Sequence, residues 1–206
     1  MSPPPLILGS MRFGEWGARL APAEVARLLA AALELGIDTL DLADIYGGHT
    51  TTALVGAALA HDPGLRPRLH LIAKLGIVLP ESPGNPQGVQ HYDLSPAHLA
   101  TAFEQTQRDL GSDSVDTLML HRFDPRLAPA ALADWVAKER DRGRLQAFGV
   151  SNFPAPALAL VHAHLPVAAH QIELSAAAST ALEDGSHAAS RALGAEVQAW
   201  SPLGGG

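Results

Sequence analysis

Four ionisable side chains occur at or just beyond the ends of three short apolar segments. Asp41 lies in "IDTLDL", Lys74 ends "LHLIAK", His121 ends "VDTLMLH", and Tyr46 follows the first of these segments in "DLADIYGG". A phenol with a pKa near ~10 is a poor acid at neutral pH, and a close ammonium group lowers that pKa by roughly 1–3 units. We predict that Lys74 is this ammonium group and that Asp41 keeps it protonated and oriented.

The histidine completes a set that could deliver a proton to a carbonyl oxygen. His121 adds a hydrogen-bond donor that would hold and polarise such an oxygen in front of Tyr46. None of the four groups can donate a hydride, and the sequence has no cysteine and no evident metal triad. The electron pair must therefore come from a reduced cofactor.

The elements that position these residues are predicted from the spacing of apolar residues. The predicted strands cover residues 6–9, 37–42, 69–74, 115–121, 145–151, 167–174 and 195–201. The predicted helices cover residues 23–35, 51–60, 96–110 and 129–142, with two more near 155–163 and 184–193. Alternate residues of a strand share a face, so Asp41, Lys74 and His121 would all point from strand ends into one space.

The alternation of strand and helix predicts a parallel sheet. Seven units favour a (β/α) barrel over a doubly wound sheet, and no G-x-G-x-x-G motif follows the first strand. The predicted fold class is α/β, a (β/α)8 TIM-type barrel with about seven units present, in a single domain over residues 1–206. The turn-rich segment 80–94 is predicted to be a long loop on the side where such barrels hold their active sites.

Composition and charge narrow the expected partners. The chain has 206 residues, 47% of them hydrophobic, which is enough for one substantial core. The net charge of −7 favours neither nucleic acid nor an anionic membrane surface as a partner. The sequence does not begin with a basic segment and a long apolar stretch, and no part approaches the ~20 apolar residues of a membrane span. A cytoplasmic location is the simplest expectation.

Six motifs occur in order along the chain, each at the end of a different predicted strand. They are "DLADIYGG", "IAKLGI", "LMLHRFDP", "FGVSNF", "HQIELS" and "AWSPLGGG". Together they resemble the aldo-keto reductases, in particular the bacterial branch with the pattern D-x-A-D-I-Y-G-G, over nearly the whole chain. The resemblance implies a (β/α)8 barrel that transfers hydride reversibly between NADPH and a small aldehyde or ketone, and it does not exclude NADH.

The resemblance also implies a role for each catalytic residue. Tyr46 would be the general acid, Asp41 and Lys74 the pair that tunes it, and His121 the residue that orients the substrate carbonyl. Trp16, His49 and Phe123 would line the substrate pocket, together with the 80–94 loop.

A second group of residues matches positions that bind the cofactor in this family. These positions are Met11, Asp41, Ser151, Asn152, Gln171, Trp200, Ser201, Leu203 and Gly204. By resemblance, Ser151, Asn152 and Gln171 would bind the nicotinamide carboxamide, and Trp200 would stack on the nicotinamide ring. Ser201, Leu203 and Gly204 match the start of a loop that passes the pyrophosphate, and Met11 would cover the cofactor.

The sequence departs from the family pattern in its length. A complete eight-unit barrel takes ~250 residues, whereas this sequence ends after its seventh predicted strand. The last strand and helices are then missing and two sheet edges are open, which self-association would cover. A non-catalytic shortened relative, acting as a binding or regulatory protein, is the alternative to an active reductase. A metal-dependent barrel hydrolase has less support, since no His-x-His follows the first strand.

Overall fold

A curled sheet of seven parallel strands forms the centre of the molecule. The computed structural model describes residues 6–205. The strands in chain order are β1 (Ile7–Gly9), β2 (Thr39–Ala43), β3 (His70–Leu75), β4 (Ile77–Val78), β5 (His91–Tyr92), β6 (Val115–Leu120), β7 (Leu145–Ser151), β8 (Ala169–Glu173) and β9 (Glu196–Trp200). The sheet order is β1-β2-β3-β6-β7-β8-β9, and every neighbouring pair is parallel.

Helices alternate with the strands of this sheet. They are α1 (Pro22–Glu34), α2 (Tyr46–His49), α3 (Thr51–His61), α4 (Pro96–Leu110), α5 (Pro129–Asp141), α6 (Ala155–His162), α7 (Thr180–Glu183) and α8 (Ser186–Ala192), with a short 3-10 helix at Arg66–Arg68. A curled, parallel half-barrel with alternating helices is consistent with part of a (β/α)8 barrel. The predicted fold class is therefore confirmed.

Helix α4 shows how the sequence sets the ends of an element. The Ser95 hydroxyl accepts a hydrogen bond from the His98 amide at 3.3 Å, and Pro96 occupies the first helical position. Gly111 then ends the helix in the left-handed conformation, with φ 61°. Both ends match the capping signals in the sequence.

The two faces of the sheet differ in chemistry. On the outer face, strand residues such as Leu71 and Leu118 pack with helix residues such as Leu29 and Phe103 in one large buried cluster. On the inner face, a small apolar cluster of Ile72, Met119 and Ala169 lies among polar side chains. Because strand residues alternate between faces, the helices bury one face and leave the other to the polar groups.

The segment after β3 contains a small antiparallel hairpin. β4 and β5 pair through Ile77 with Tyr92 and Val78 with His91. In the segment between these two strands, the Asn85 side-chain amide donates a hydrogen bond to the Leu79 carbonyl at 2.8 Å. The prediction of a loop throughout 80–94 was therefore wrong at residues 91–92, because a two-residue strand is too short to show an alternating pattern.

Within residues 6–205 the sheet is open at both sides. β1 pairs with β2 alone, and β9 pairs with β8 alone. The helices of this part of the chain are all too short or too polar to cross a lipid bilayer.

Candidate active site

The register of the sheet brings the predicted catalytic strands side by side. Ala43 of β2 pairs with Lys74 of β3, and Lys74 pairs with Met119 of β6. The His121 amide donates to the Leu75 carbonyl at 2.8 Å, which continues this register beyond β6. The carboxyl ends of three adjacent strands therefore meet at one rim, where barrel enzymes place their chemistry.

A buried ion pair lies at this rim. The Lys74 ammonium contacts both carboxylate oxygens of Asp41, and Lys74 is only 2% exposed. The Gln171 side-chain amide donates to Asp41 Oδ1 at 2.8 Å. Burial by itself lowers the pKa of Lys74, but the Asp41 carboxylate and Tyr46 outweigh it, and the net pKa is raised. Lys74 therefore carries its proton and is held in place.

Tyr46 lies against this pair. Its hydroxyl is 3.5 Å from Asp41 Oδ2, and Lys74 Nζ is 5.2 Å from the centre of its ring. Burial raises the pKa of Tyr46, Lys74 lowers it, Asp41 raises it again, and the net direction is upward. The sequence analysis predicted that Lys74 would lower the pKa of Tyr46. That prediction is wrong for the overall direction of the shift, because burial dominates and Asp41 offsets the lysine charge.

Two glycines with left-handed backbone conformations directly follow Tyr46. Gly47 and Gly48 have φ values of 63° and 64° inside the short helix α2. A Cβ atom on Gly47 would lie 2.6 Å from Thr51 Oγ1, so a larger residue there meets both backbone strain and a steric clash. The "YGG" sequence thus suits the tight turn that the chain makes immediately after Tyr46.

His121 faces the tyrosine. The two rings are 6.0 Å apart and nearly perpendicular, at 81°. Burial, followed by the positive charges of Lys74 and Arg122, holds the pKa of His121 well below its usual value, so the imidazole is neutral. Its Nδ1 atom is buried without a hydrogen-bond partner among the described residues.

The predicted carboxamide-binding residues form a connected network beside this cluster. Ser151 and Gln171 are paired across β7 and β8. The Asn152 side-chain amide donates to Ser151 Oγ at 2.7 Å and to the His121 carbonyl at 3.4 Å. The Trp200 indole donates to Asn152 Oδ1 at 3.0 Å. Through Gln171, the network continues to Asp41.

The other predicted cofactor residues are less enclosed. Met11 is 38% exposed after β1, and Leu203 is 89% exposed after β9. Ser201 has φ 48°, and its carbonyl accepts from the Gly204 amide at 2.9 Å, which forms a turn. The structure therefore places these residues at the surface beside the rim.

The three predicted pocket residues have different surroundings. Trp16 packs edge-on against Tyr46, with ring centres 6.4 Å apart, and so joins the cluster. His49 instead contacts the Asp44 carbonyl at 3.0 Å and Ser82 Oγ at 2.7 Å, which ties α2 to the hairpin segment. Phe123 packs against Phe153, with the ring centres 5.4 Å apart.

Several residues of the site were missed by the sequence analysis. The Ser10 hydroxyl donates to the Asp41 carbonyl at 2.8 Å, and Gln198 Oε1 accepts from Gln171 at 3.2 Å. The Arg122 guanidinium lies over the Trp200 ring, 5.9 Å from its centre. Ser10 and Gln198 follow from strand register, which a single sequence does not fix, whereas Arg122 is adjacent to His121 and could have been noted.

Metal ligands do not assemble in the described part of the chain. Within residues 6–205 no group of three or more His, Asp or Glu side chains is arranged to hold a metal ion. The hydrolase alternative therefore has no ligand set in these residues.

Comparison with known proteins decides the family. The model of the aldo/keto reductase family matches residues 5–206. The chain belongs to the aldo/keto reductase family. An oxidoreductase of Bacillus subtilis (strain 168), YcsN, is 38% identical over 98% of this chain and 67% of its own. A 6-dehydroglucose reductase of Agrobacterium fabrum is 36% identical over 98% of this chain and 68% of its own.

Solved structures of the family have the same architecture. The thermostable aldo-keto reductase Tm1743 matches with a TM-score of 0.77 and 25% identity, over 96% of this chain and 68% of that one. The glycerol dehydrogenase AKR11B4 from Gluconobacter oxydans matches with a TM-score of 0.77 and 28% identity, over 94% and 58%. The chain thus spans about two thirds of the length of the relatives it matches. Family membership identifies it as an NAD(P)H-dependent oxidoreductase.

Proposed function

We propose that this protein reduces a small aldehyde or ketone to an alcohol with NADPH and that Tyr46 is the general acid. The observation that carries the proposal is the placement of the Tyr46 hydroxyl against the Asp41–Lys74 pair, with His121 facing the same ring. The family supports carbonyl reduction in general. The identity of the acid and the choice of NADPH are the parts that we propose.

The raised pKa of Tyr46 suits an acid. A phenol that is fully protonated at neutral pH is ready to give its proton to a carbonyl oxygen that gains negative charge. The fixed charge of Lys74 then stabilises the phenolate that remains, and Asp41 holds Lys74 in position. The pair therefore acts on the product of proton transfer more than on the resting phenol.

His121 supplies the second contact to the substrate oxygen. Because its imidazole is neutral, it carries one ring proton and can donate one hydrogen bond without adding a charge. Such a donor polarises the carbonyl and holds it in front of the tyrosine. Trp16, packed on Tyr46, would form one wall beside the substrate.

The residues around Trp200 fit a nicotinamide. A carboxamide needs both donors and acceptors, and Ser151, Asn152 and Gln171 present hydroxyl and amide groups from two adjacent strand ends. Trp200 contributes an aromatic ring beside them, and the Arg122 guanidinium lies over that ring. When bound, the reduced cofactor supplies the hydride. Ser201, Leu203, Gly204 and Met11 would contact the rest of the cofactor.

A turnover assay with a matched variant tests the proposal. Purified protein is mixed with NADPH and a panel of small aldehydes, ketones and 6-dehydroglucose, because two relatives at 36% identity are 6-dehydroglucose reductases. We expect loss of NADPH absorbance with the wild type and at least about a hundredfold slower turnover with Tyr46→Phe, which keeps the ring but removes the proton. Equal rates for the two proteins would exclude Tyr46 as the acid. Cofactor binding without any turnover would favour a binding or regulatory role.

Self-association through the open strands β1 and β9 stays a proposal. Sedimentation over a range of concentrations tests it, and a mass that stays that of one chain at every concentration would argue against it.

A further inference from the structure

A fully buried histidine lies directly behind the network of Asn152 and Trp200. His170 is 0% exposed in β8 and, by strand alternation, lies on the face opposite Gln171. Its Nε2 atom is 3.1 Å from the backbone amide of Phe153. Its Nδ1 atom is 2.8 Å from the hydroxyl oxygen of Ser190.

The partners of His170 determine which ring nitrogen is protonated. The Phe153 amide can only donate, so Nε2 must be the acceptor. The ring proton is then on Nδ1 and is donated to Ser190 Oγ, whose own hydroxyl donates to the Ser186 carbonyl at 2.7 Å. The three hydrogen bonds thus form a chain in which each donor precedes its acceptor, from Phe153 just after β7, through His170 and Ser190, to the Ser186 carbonyl in α8. Protonation of both ring nitrogens would set two donors, the imidazolium and the Phe153 amide, against each other.

This histidine supports a turn of unusual conformation. Asn152 has φ 56°, a left-handed value that is uncommon outside glycine. Two consecutive amides of the turn are held by β8: the Asn152 amide donates to the Gln171 carbonyl at 2.9 Å, and the Phe153 amide donates to His170 Nε2. With these bonds in place, Asn152 Oδ1 accepts from the Trp200 indole.

We propose that His170 is a positioning residue that fixes the turn at Asn152 and, through it, the Trp200 ring. The inference rests on the proposed function, because Asn152 and Trp200 are residues proposed to hold the nicotinamide. Removal of the Nε2 acceptor leaves the Phe153 amide buried without a partner, which is unfavourable. Rotation of the turn relieves this cost, and the Asn152 side chain moves with it.

Three substitutions separate positioning from simple packing. In His170→Gln the side-chain oxygen can occupy the position of Nε2, so the Phe153 amide retains an acceptor. In His170→Asn the shorter side chain reaches only the position of Nδ1. This variant retains a partner for Ser190 but leaves the Phe153 amide without an acceptor. Ser190→Ala is the matched control, because it removes the other bond of the same ring and leaves the turn held.

The indole N–H signal of Trp200 in the nuclear magnetic resonance spectrum gives a readout that needs neither cofactor nor turnover. The chain has three tryptophans, and Trp200→Phe assigns the signal. We expect at least tenfold faster hydrogen exchange of this indole in His170→Asn, with wild-type exchange in His170→Gln and Ser190→Ala, and unchanged signals from Trp16 and Trp135. An unchanged Trp200 signal in His170→Asn, or an equal effect in Ser190→Ala, would overturn the proposal.

Two further measurements keep the test decisive. If His170→Asn does not fold, the nitrogen chemical shifts of the wild-type imidazole still report its protonation. A proton on Nδ1 supports the proposal and a proton on Nε2 refutes it. Titration of the folded variants with NADPH should show a dissociation constant about tenfold higher for His170→Asn than for His170→Gln. If the wild type fails to bind NADPH, the proposed function fails, while the indole result still decides the role of His170.

Discussion

Buried charge governs the site at the level of single residues. The Lys74 ammonium, the Asp41 carboxylate and the Gln171 amide satisfy one another in a region that is almost closed to solvent. A buried ion pair contributes little net stability, but loss of one partner leaves an uncompensated charge. The pair is therefore better explained by its action on Tyr46 than by the stability of the fold.

Removal of the lysine should destabilise the protein more than removal of the whole pair. We expect Lys74→Met to lower the free energy of unfolding by about 3–5 kcal/mol, because Asp41 is left buried without its counter-charge. The double variant Asp41→Asn/Lys74→Met has no such charge and should be less destabilised. Urea unfolding of the three proteins measures this. A double variant as unstable as Lys74→Met would show that packing, not charge, is responsible.

Titration of the free protein should reveal the raised pKa of Tyr46. The chain has two tyrosines, so Tyr92→Phe leaves Tyr46 as the only phenol, and Tyr46→Phe measures the background from Tyr92. Because burial and Asp41 disfavour the phenolate, the tyrosinate absorbance of Tyr46 should develop only above the ordinary value of about 10. Tyr46 then stays an acid throughout the neutral range. A transition below that value would mean that Lys74 dominates in the free protein.

Turn geometry governs the site at the level of elements. In α2, two left-handed glycines follow Tyr46 directly, and in the β7–α6 turn the left-handed Asn152 accepts a hydrogen bond from the Trp200 indole. Both turns lie just beyond the carboxyl ends of strands of the sheet. The strands thus supply a rigid rim, and residues with positive φ shape the turns just beyond it.

Substitution of the two glycines should distinguish steric clash from backbone strain. Alanine at either position has a positive φ, at a cost of about 1–2 kcal/mol. Gly47→Ala in addition brings Cβ to 2.6 Å from Thr51 Oγ1, whereas Gly48→Ala meets only Glu81 Oε1 at 4.0 Å. We therefore expect a larger loss of stability and of turnover for Gly47→Ala. Thermal unfolding and the carbonyl reduction assay measure both, and equal losses would show that Thr51 yields without cost.

Strands and helices were predictable from the sequence, but the details of the turns were not. The alternation in "LHLIAK" was enough to place Lys74 at the end of a buried strand, and Ser95 with Gly111 gave both ends of α4. The two-residue strands β4 and β5 and the partners of His49 depend on contacts between segments far apart in the chain. The net pKa of Tyr46 also could not be predicted, since it depends on the depth of burial.

Two buried groups give the whole molecule opposite responses to acid. Burial lowers the pKa of His170 to about 4, with the Asp184 carboxylate opposing the shift. Burial raises the pKa of Asp44 to about 7, against the backbone amides of Ile45 and Asp44 and the charge of Lys74. Between about pH 4 and 6.5, His170 is protonated in the unfolded chain but not in the folded protein. In the same range Asp44 is protonated in the folded protein, whereas in the unfolded chain it is largely ionised. The histidine makes acid destabilising in this range, and the aspartate makes it stabilising.

Removal of Asp44 and removal of His170 should therefore change the pH dependence of stability in opposite directions. In Asp44→Asn the free energy of unfolding should fall more steeply than in the wild type as the pH drops from 6.5 to 4, by a difference on the order of 3 kcal/mol. In His170→Gln, which cannot titrate, it should fall less steeply or rise over the same range. Urea unfolding of the three proteins at several pH values measures these slopes. Parallel curves for Asp44→Asn and the wild type would mean that Asp44 is ionised in the folded protein, and the Asp44 carboxyl would then need a partner for its buried Oδ1.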